Sequence, residues 1–391
     1  MKFRVERDAL ADAVAWAARS LAARPTMPVL AGLRLVVAGD TLTISGFDLE
    51  ASTEVDLDVV GGSDGQTLVS GRLLADITKA LPAHPVEVAV DGPRVTVTCG
   101  NSRFTLPTLP VEDYPRLPDM PSTAGTVDSH AFARAVAQVA VAAGRDDTLP
   151  MLTGVRLEID GDTLTLAATD RYRLAVRELQ WTPESPTADP VQVLVPARTL
   201  HDAARSLVAA DELTVSLSGA GGTGGGAGII GFSAAGRRAT TRLLDAQFPA
   251  YRSLLPSEWL AHAEVSVPAL TEAVKRVALV ADRGTPVRLE FDEATLTLSA
   301  GGEDEGRAEE ALEVEFSGDG FTTAFNPAFL LDGLGAVETT TARMLFTTPT
   351  KPAVLRPAAG EVGSDGGSAA DHAGAAEADY TYLIMPVRLP G

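Results

Sequence analysis

One pattern is written three times along this chain, and that repetition constrains the fold more than any single motif. The segments DALADAVAWAARSL, SHAFARAVAQVAVAAG and PALTEAVKRVALV carry the same apolar helical stripe. Leu10, Val14 and Ala17 match Phe132, Val136 and Val139, and then Leu270, Val274 and Val277. Spacing of i, i+4, i+7 gives each helix one buried face. Each helix leads into related strands: RPTMPVLAGLRLVVAGDTLTISGFD resembles RDDTLPMLTGVRLEIDGDTLTLAATD, and RGTPVRLEFDEATLTLSA is a shorter third version. The pairs Gly39-Asp40 and Gly161-Asp162 sit between alternating apolar runs, where hairpin turns belong. A second helix recurs as SGRLLADITKAL, PARTLHDAARSL and NPAFLLDGLGAV, and strand-rich endings follow each copy. The expected fold is therefore α+β, with strands, two helices and more strands in each copy. Three tandem domains are expected over 1–122 (N-terminal), 126–256 (central) and 263–391 (C-terminal).

Two stretches fall outside the pattern. The Gly-rich run 218–231 and the acidic run 357–379 cannot bury enough apolar surface to order themselves, and both read as hairpin loops.

Composition excludes several classes. Hydrophobic residues at 45% and charged residues at 21% fit a soluble globular protein. A single cysteine, Cys99, leaves no disulfide framework and no cysteine-based zinc site, which favours the reducing cytosol. MKFRVERDAL has no apolar signal region, and no run of about 18 apolar residues occurs, so neither export nor a membrane span is expected.

The net charge of −20 argues against ordinary DNA binding by phosphate neutralisation. Its distribution changes that reading. The predicted helices 8–24, 72–81, 130–145, 197–207, 270–283 and 327–336 carry eleven basic and seven acidic residues, so the excess acid lies elsewhere. Mildly basic helices inside an acidic shell make an ordered field.

No catalytic constellation appears. The run 218–231 lacks the Gly-Lys-Ser/Thr ending of a phosphate loop. His84, His130, His201, His262 and His372 show no metal-ligand spacing, and no cofactor is expected. Asp146-Asp147 falls in a helix-to-strand connection, where capping is the ordinary role. A nucleotide-acting enzyme and an exported β-rich scaffold remain as rival readings, disfavoured by the missing catalytic cluster and the missing signal.

The repeat also carries recognisable residues. MKFRVERDAL, Arg24-Pro25 with Pro28-Val29-Leu30, the run Ala168–Ala175 (ATDRYRLA), Phe248-Pro249-Ala250-Tyr251 and the terminal Tyr382–Leu389 (YLIMPVRL) resemble the β subunit of bacterial DNA polymerase III, the sliding clamps. The resemblance spans the whole chain. It implies a head-to-tail homodimeric ring with helices lining the hole, encircling duplex DNA without reading its sequence. Such a ring is a processivity factor without catalytic residues, placed on DNA by a clamp loader. It tethers the polymerase III α subunit and other proteins bearing clamp-binding motifs, in the cytoplasm at the nucleoid. A topological link needs no tight grip, which reconciles a net −20 with DNA. A second clamp copy conferring resistance to clamp-binding antibiotics would look the same.

By resemblance, the residues facing DNA are Arg24, Arg72, Arg134, Arg198 and Lys275. The pocket for partner peptides comprises Leu152, Thr169, Tyr172, Leu174, Pro249, Leu254, Leu383, Met385, Pro386 and Val387, with Arg173 and Arg388 on its rim. At the dimer interface, Phe104 and Leu106 are expected near Leu279 and Val280, with Arg103 opposite Glu303, Asp304 and Glu305.

Overall fold

The computed structural model describes residues 1–22, 24–186, 189–218, 228–281, 284–301, 306–358 and 380–388. Each copy of the repeat resolves into two βαβββ halves. In the first copy, one half is β1 (Lys2–Val5), α1 (Arg7–Ala17), β2 (Gly32–Ala38), β3 (Thr41–Phe47) and β4 (Ala51–Asp58). After the short β5 (Val60–Ser63) comes the other: β6 (Gly65–Ser70), α2 (Gly71–Ala80), β7 (Val86–Asp91), β8 (Arg94–Cys99) and β9 (Ser102–Leu109).

The second copy repeats this with β10 (Thr123–Asp128), α3 (Ser129–Ala140), β11 (Gly154–Asp160), β12 (Thr163–Thr169) and β13 (Arg173–Gln180). Past β14 (Thr182–Pro183) follow β15 (Val191–Pro196), α4 (Ala197–Ser206), β16 (Glu212–Leu217), β17 (Ile229–Ala234) and β18 (Arg237–Arg242). The third copy has β19 (Ala261–Ser266), α5 (Val267–Val277), β20 (Val287–Asp292), β21 (Thr295–Gly301) and β22 (Arg307–Glu313). Then come β23 (Glu315–Ser317), β24 (Phe321–Phe325), α6 (Pro327–Ala336), β25 (Thr341–Phe346), β26 (Ala353–Pro357) and β27 (Tyr380–Ile384).

These elements gather into two compact units. The first holds Met1–Ala133, Trp181–Val191 and Arg198–Leu243; the second holds Arg134–Gln180, Gln192–Ala197 and Leu244–Gly391. The second copy is thus divided between them.

In the first unit one 14-stranded sheet runs β14-β10-β16-β17-β18-β4-β3-β2-β6-β9-β8-β7-β1-β5. The seam between copies is the antiparallel pair β18–β4, with Ala239 opposite Thr53 and Arg238 opposite Glu54. Arg238 also forms ion pairs there with Glu54 at 2.8 Å and Asp56 at 2.7 Å. Beside the seam, the guanidinium groups of Arg19 and Arg237 stand 6.0 and 5.5 Å from the Trp16 ring, and its indole N–H donates to the Glu54 carbonyl.

The second unit contains a nine-stranded sheet, β15-β11-β12-β13-β27-β26-β25-β19-β23, and a four-stranded sheet, β22-β21-β20-β24. Its seam is β13–β27, with Ala175 opposite Tyr382. Buried Leu, Val, Ile and Ala make up most of the cores, with aromatic side chains such as Phe3, Phe132, Phe291 and Tyr382 among them.

Helix starts follow from their caps. Asn326 accepts from the backbone N–H groups of Ala328 and Phe329 with Pro327 in the first turn, and Ser266 accepts from Ala269 N–H. Helix ends come earlier than periodicity predicts. α1 stops at Ala17 and continues as a 3-10 turn, Ala18–Ser20; α5 does the same through Ala278–Val280. Beyond α3, Ala142 N–H reaches the Val139 carbonyl and Ala143 N–H that of Ala140, so i, i+3 bonds tighten the last turn while its alanines stay buried. With these ends the helices carry eight basic and six acidic residues, since Arg19, Arg24, Arg145, Asp282 and Arg283 fall outside their bounds while Arg7 falls inside α1. The contrast with the acidic remainder is smaller than the sequence implied, but of the same sign.

The Gly-rich stretch is shorter than expected, because Ile229–Gly231 belongs to β17. Residues 219–227 and 359–379 lie outside the described residues; the strands flanking each pair antiparallel, β16 with β17 and β26 with β27. Asp146 caps locally, accepting from the backbone N–H and hydroxyl of Thr148, and those bonds lower its pKa.

α6 sits close on β27 because Gly333 faces the Tyr382 ring. A Cβ at Gly333 would come within 2.5 Å of that ring, which is buried and hydrogen-bonded through its hydroxyl to the Phe329 carbonyl at 2.8 Å. Gly333→Ala is therefore expected to destabilise by about 1–3 kcal/mol, despite alanine's better helix propensity. A thermal melt should show a lower midpoint; an unchanged or higher one would mean that the helix shifts freely.

Candidate functional site

In the second unit several exposed apolar side chains stand beside a buried apolar floor. That floor is Leu174, Val176, Phe248, Tyr251, Leu345, Val354 and Leu383, with Leu244, Leu255 and Trp259 packed against it. Register explains the convergence. Leu174 on β13 stands opposite Leu383 on β27, and Leu383 opposite Val354 on β26, so three strands place apolar side chains in one row on one face. Around this floor stand Tyr172, Leu254, Met385 and Val387, all exposed; Met385 has 40% of its surface open.

The run ATDRYRL builds one wall. The Thr169 hydroxyl donates to the Arg173 carbonyl at 2.7 Å, while the Asp170 carboxylate accepts from the backbone N–H groups of Tyr172 and Arg173. Arg171 takes a φ of 78°, a left-handed conformation held by this turn. The turn presents Tyr172 outward, where its ring stacks on Phe329 of α6 at 6.2 Å. Tyr172 also offers its carbonyl to Met385 N–H at 2.8 Å, and Val387 N–H donates to the Ala324 carbonyl. Two backbone bonds thus hold Met385 and Val387 in place just past β27.

Arg173 corrects the sequence reading. It is not a rim residue: only 6% of its side chain is exposed. Strand alternation turns it away from Leu174, toward α6, where it pairs with Asp170 at 2.9 Å and with Asp332, and lies 4.3 Å over the Phe329 ring. Burial disfavours its charge, but Asp332, Tyr382 and Asp170 outweigh that and raise its pKa above the ordinary arginine value. Arg173 is a strut joining the Tyr172 turn to α6. The sequence missed Phe329 and Asp332 as its partners, because 159 residues separate Arg173 from Asp332.

A second charged group borders the floor. Glu158 is held by Arg156 and Arg252, each at 2.6 Å, and Arg156 lies over the rings of Phe248 and Tyr251. The hydrogen bond to Glu158 raises the Arg252 pKa. Burial pushes the Tyr251 hydroxyl up to about 12, with the Glu158 charge adding and Arg252 and Arg156 opposing.

Of the other predicted pocket residues, Leu152, Thr169, Leu174 and Leu383 are buried, Pro249 and Pro386 half-buried, and Arg388 exposed. Leu152 lies in the 3-10 turn Pro150–Leu152. The predicted DNA-facing residues Arg24, Arg72, Arg134, Arg198 and Lys275 are all exposed, and all but Arg24 lie on helices. Arg134 comes within 4.0 Å of Glu338, and Lys275 pairs with Glu272 at 2.8 Å.

At the predicted interface, Arg103, Phe104 and Leu279 are exposed and Val280 half-buried. Leu106 is a correction. It packs into its own core with 2% exposure, on the inward face of β9 opposite the buried Val95 of β8. Glu303, Asp304 and Glu305 lie outside the described residues.

Three copies of a doubled βαβββ unit, seamed edge to edge, with exposed apolar side chains beside a buried apolar cluster at the last strand, define a clamp-type protein. Comparison with known proteins agrees. Residues 1–118 match the DNA polymerase III beta subunit N-terminal domain family, 126–250 the central domain family and 252–363 the C-terminal domain family. The chain is 55% identical over the full length of both proteins to the beta sliding clamp of Streptomyces coelicolor, and 31% to that of Escherichia coli. It is 45% identical, over 99% of both chains, to the beta sliding clamp homolog GriR of Streptomyces muensis. The crystal structure of a Pseudomonas aeruginosa sliding clamp bound to griselimycin superposes with a TM-score of 0.87 at 29% identity, covering both chains entirely. This chain belongs to the DNA polymerase III β-subunit family, the bacterial sliding clamps.

The Tyr251 shift has a defined pH consequence. A tyrosine whose folded pKa is raised stabilises the fold fully below its unfolded value, about 10, and that contribution is lost as pH rises through about 12. Stability should therefore fall between about pH 10 and 12, and Tyr251→Phe should flatten part of that fall in denaturant titrations. An identical alkaline slope in the variant would exclude Tyr251 as a source.

Proposed function

We propose that two copies of this chain close head to tail into a ring that encircles duplex DNA and tethers the replicative polymerase. The observation that carries this reading is the cleft beside Met385. It joins the ATDRYRL turn to the last strand, at the positions that the resemblance to sliding clamps assigns to partner peptides. The three domains would span 1–122, 126–256 and 263–391. The exposed Arg24, Arg72, Arg134, Arg198 and Lys275 would face the phosphates, giving weak, sequence-independent contact that a ring can afford.

The clients are the polymerase III α subunit and other replication and repair proteins that carry short peptides with apolar anchors. Such anchors suit a floor of Leu174, Leu383, Val354 and Tyr251 with an adaptable methionine at its edge. A clamp loader would open the ring, and the protein would act in the cytoplasm at the nucleoid without chemistry of its own. Among the described residues no helix is long and apolar enough to cross a membrane. The higher identity to the Streptomyces coelicolor clamp than to GriR favours the main replicative role over that of a second copy.

Two measurements test this. Met385→Ala should weaken binding of an apolar client peptide at least tenfold by fluorescence polarisation, with the oligomeric state unchanged by ultracentrifugation; unchanged affinity would misplace the cleft. After loading onto nicked circular DNA, the protein should stay bound through a salt wash and leave when the circle is linearised. Release indifferent to linearisation would sink the ring.

A further inference from the structure

The turn that walls the cleft is built twice in this chain. Leu49 and Arg171 share a left-handed backbone, at φ 81° and 78°. Asp48 accepts from the N–H groups of Glu50 and Ala51 as Asp170 does from those of Tyr172 and Arg173. Arg242 N–H donates to the Glu50 carbonyl at 3.0 Å, as Met385 N–H does to that of Tyr172. Phe47 therefore corresponds to Thr169, Glu50 to Tyr172 and Arg242 to Met385. The first seam, β4 with β18, thus carries the backbone of another cleft within the first unit.

Its side chains differ. At the second seam one ladder row reads Thr169, Leu174, Leu383, Val354 and Leu345. The same row at the first seam reads Phe47, Ser52, Thr240, Gly231 and Ser216. Ser52 and Thr240 thus stand in for the floor residues Leu174 and Leu383, and their hydroxyls satisfy each other at 2.6 Å. Gly231 stands in for Val354, and Met120 lies on it: a Cβ there would come within 2.5 Å of the Met120 sulfur. Where Tyr172 and Met385 stand open, Glu50 and Arg242 form an ion pair at 3.9 Å.

The decisive exchange is at the start of the row. Phe47, 6% exposed, packs with Leu68 and Tyr114. Both have counterparts in the second unit. Leu68 and Leu194 each precede a helix by three residues, and Tyr114-Pro115 matches Phe248-Pro249. Leu194 and Phe248 belong to the client-cleft floor, but Thr169 brings no ring to them.

We infer that the first seam is a second cleft closed by the chain itself, with Phe47 lying where a bound peptide's aromatic anchor would lie and Met120 covering the far end of the row. The small Thr169 is then the specificity-determining residue that leaves the other cleft open. This rests on the client-peptide reading above and adds which residues make one seam receptive and its counterpart not. The fold tolerates either residue at this place, since the Leu49 turn keeps its shape with phenylalanine where the Arg171 turn has the Thr169 hydroxyl bond.

An exchange between the two seams of the full chain tests this. The probes are a short labelled peptide with leucine and phenylalanine anchors, and the same peptide with alanine for phenylalanine. Thr169→Phe should weaken binding of the first peptide at least tenfold by fluorescence polarisation, down to the level of the alanine peptide, whose own affinity should not change. Its melting midpoint should equal or exceed that of the wild type, because the new ring finds Leu194 and Phe248. Adding Phe47→Thr, Ser52→Leu and Thr240→Leu to Thr169→Phe should then restore at least tenfold preference for the phenylalanine peptide, now at the first seam. Undiminished binding by Thr169→Phe overturns the inference. So does equal weakening of both peptides with a lowered midpoint, which is general disruption. No recovery in the fourfold variant, with circular dichroism like that of the wild type, also overturns it; if that variant does not fold, Thr169→Phe alone decides. A wild-type chain that does not distinguish the two peptides removes the cleft reading and this inference together.

Discussion

Edge-to-edge strand pairing is the constraint on which everything else in this molecule depends. A βαβββ half cannot bury both ends of its sheet, and an open edge offers unpaired N–H and C=O groups to any neighbour. Here four of the six terminal strands satisfy one another along the chain itself, so that the copies are joined by backbone ladders rather than by loops. The side chains at the first seam then add what the backbone does not specify. Arg238 bridges Glu54 and Asp56, and Ser52 shares a hydrogen bond with Thr240, so a slip by one residue would break charged and neutral contacts together.

The cleft inherits its geometry from the second seam. Leu174 and Leu383 become neighbours only because β13 and β27 pair, so the cleft exists only when that seam is formed. Arg173 then converts sheet position into loop position. Its guanidinium is shared between Asp170, which shapes the Tyr172 turn, and Asp332, which rides on α6 beside Gly333. A buried cation with two carboxylates and a ring face at 4.3 Å leaves little freedom to the wall that bears Tyr172.

Much of this was legible in the sequence, for reasons that individual residues show. The triplication was visible because Leu10, Phe132 and Leu270 keep their spacing to the next buried positions, and burial preserves apolar character. The doubling within each copy was hidden, since helices such as RDALADAVAWA and GRLLADITKA share only the short run Leu-Ala-Asp, too little to mark a repeat. The pairing that sets Leu383 beside Leu174 was not legible, since it joins strands some two hundred residues apart, whereas the distinctive MPVRL run just past β27 drew attention to that end of the strand. The inward turn of Arg173 was not legible either, since it depends on Asp332, far along the chain, and on Arg171 adopting a left-handed backbone. Helix ends were misjudged where alanines continued the apolar period into 3-10 turns, which periodicity alone does not separate from α-helix.

The pairing of β26 with β27 has a practical consequence for labelling. Val354 and Leu383 are held opposite one another by the ladder, whatever chain connects Pro357 to Tyr380. Closing a longer connection costs only about 0.6 kcal/mol per doubling of its length. A fluorescent or affinity cassette is therefore better spliced into that connection than appended after Gly391, three residues past Arg388 and close to the hydrogen-bonded tail that forms the cleft's edge.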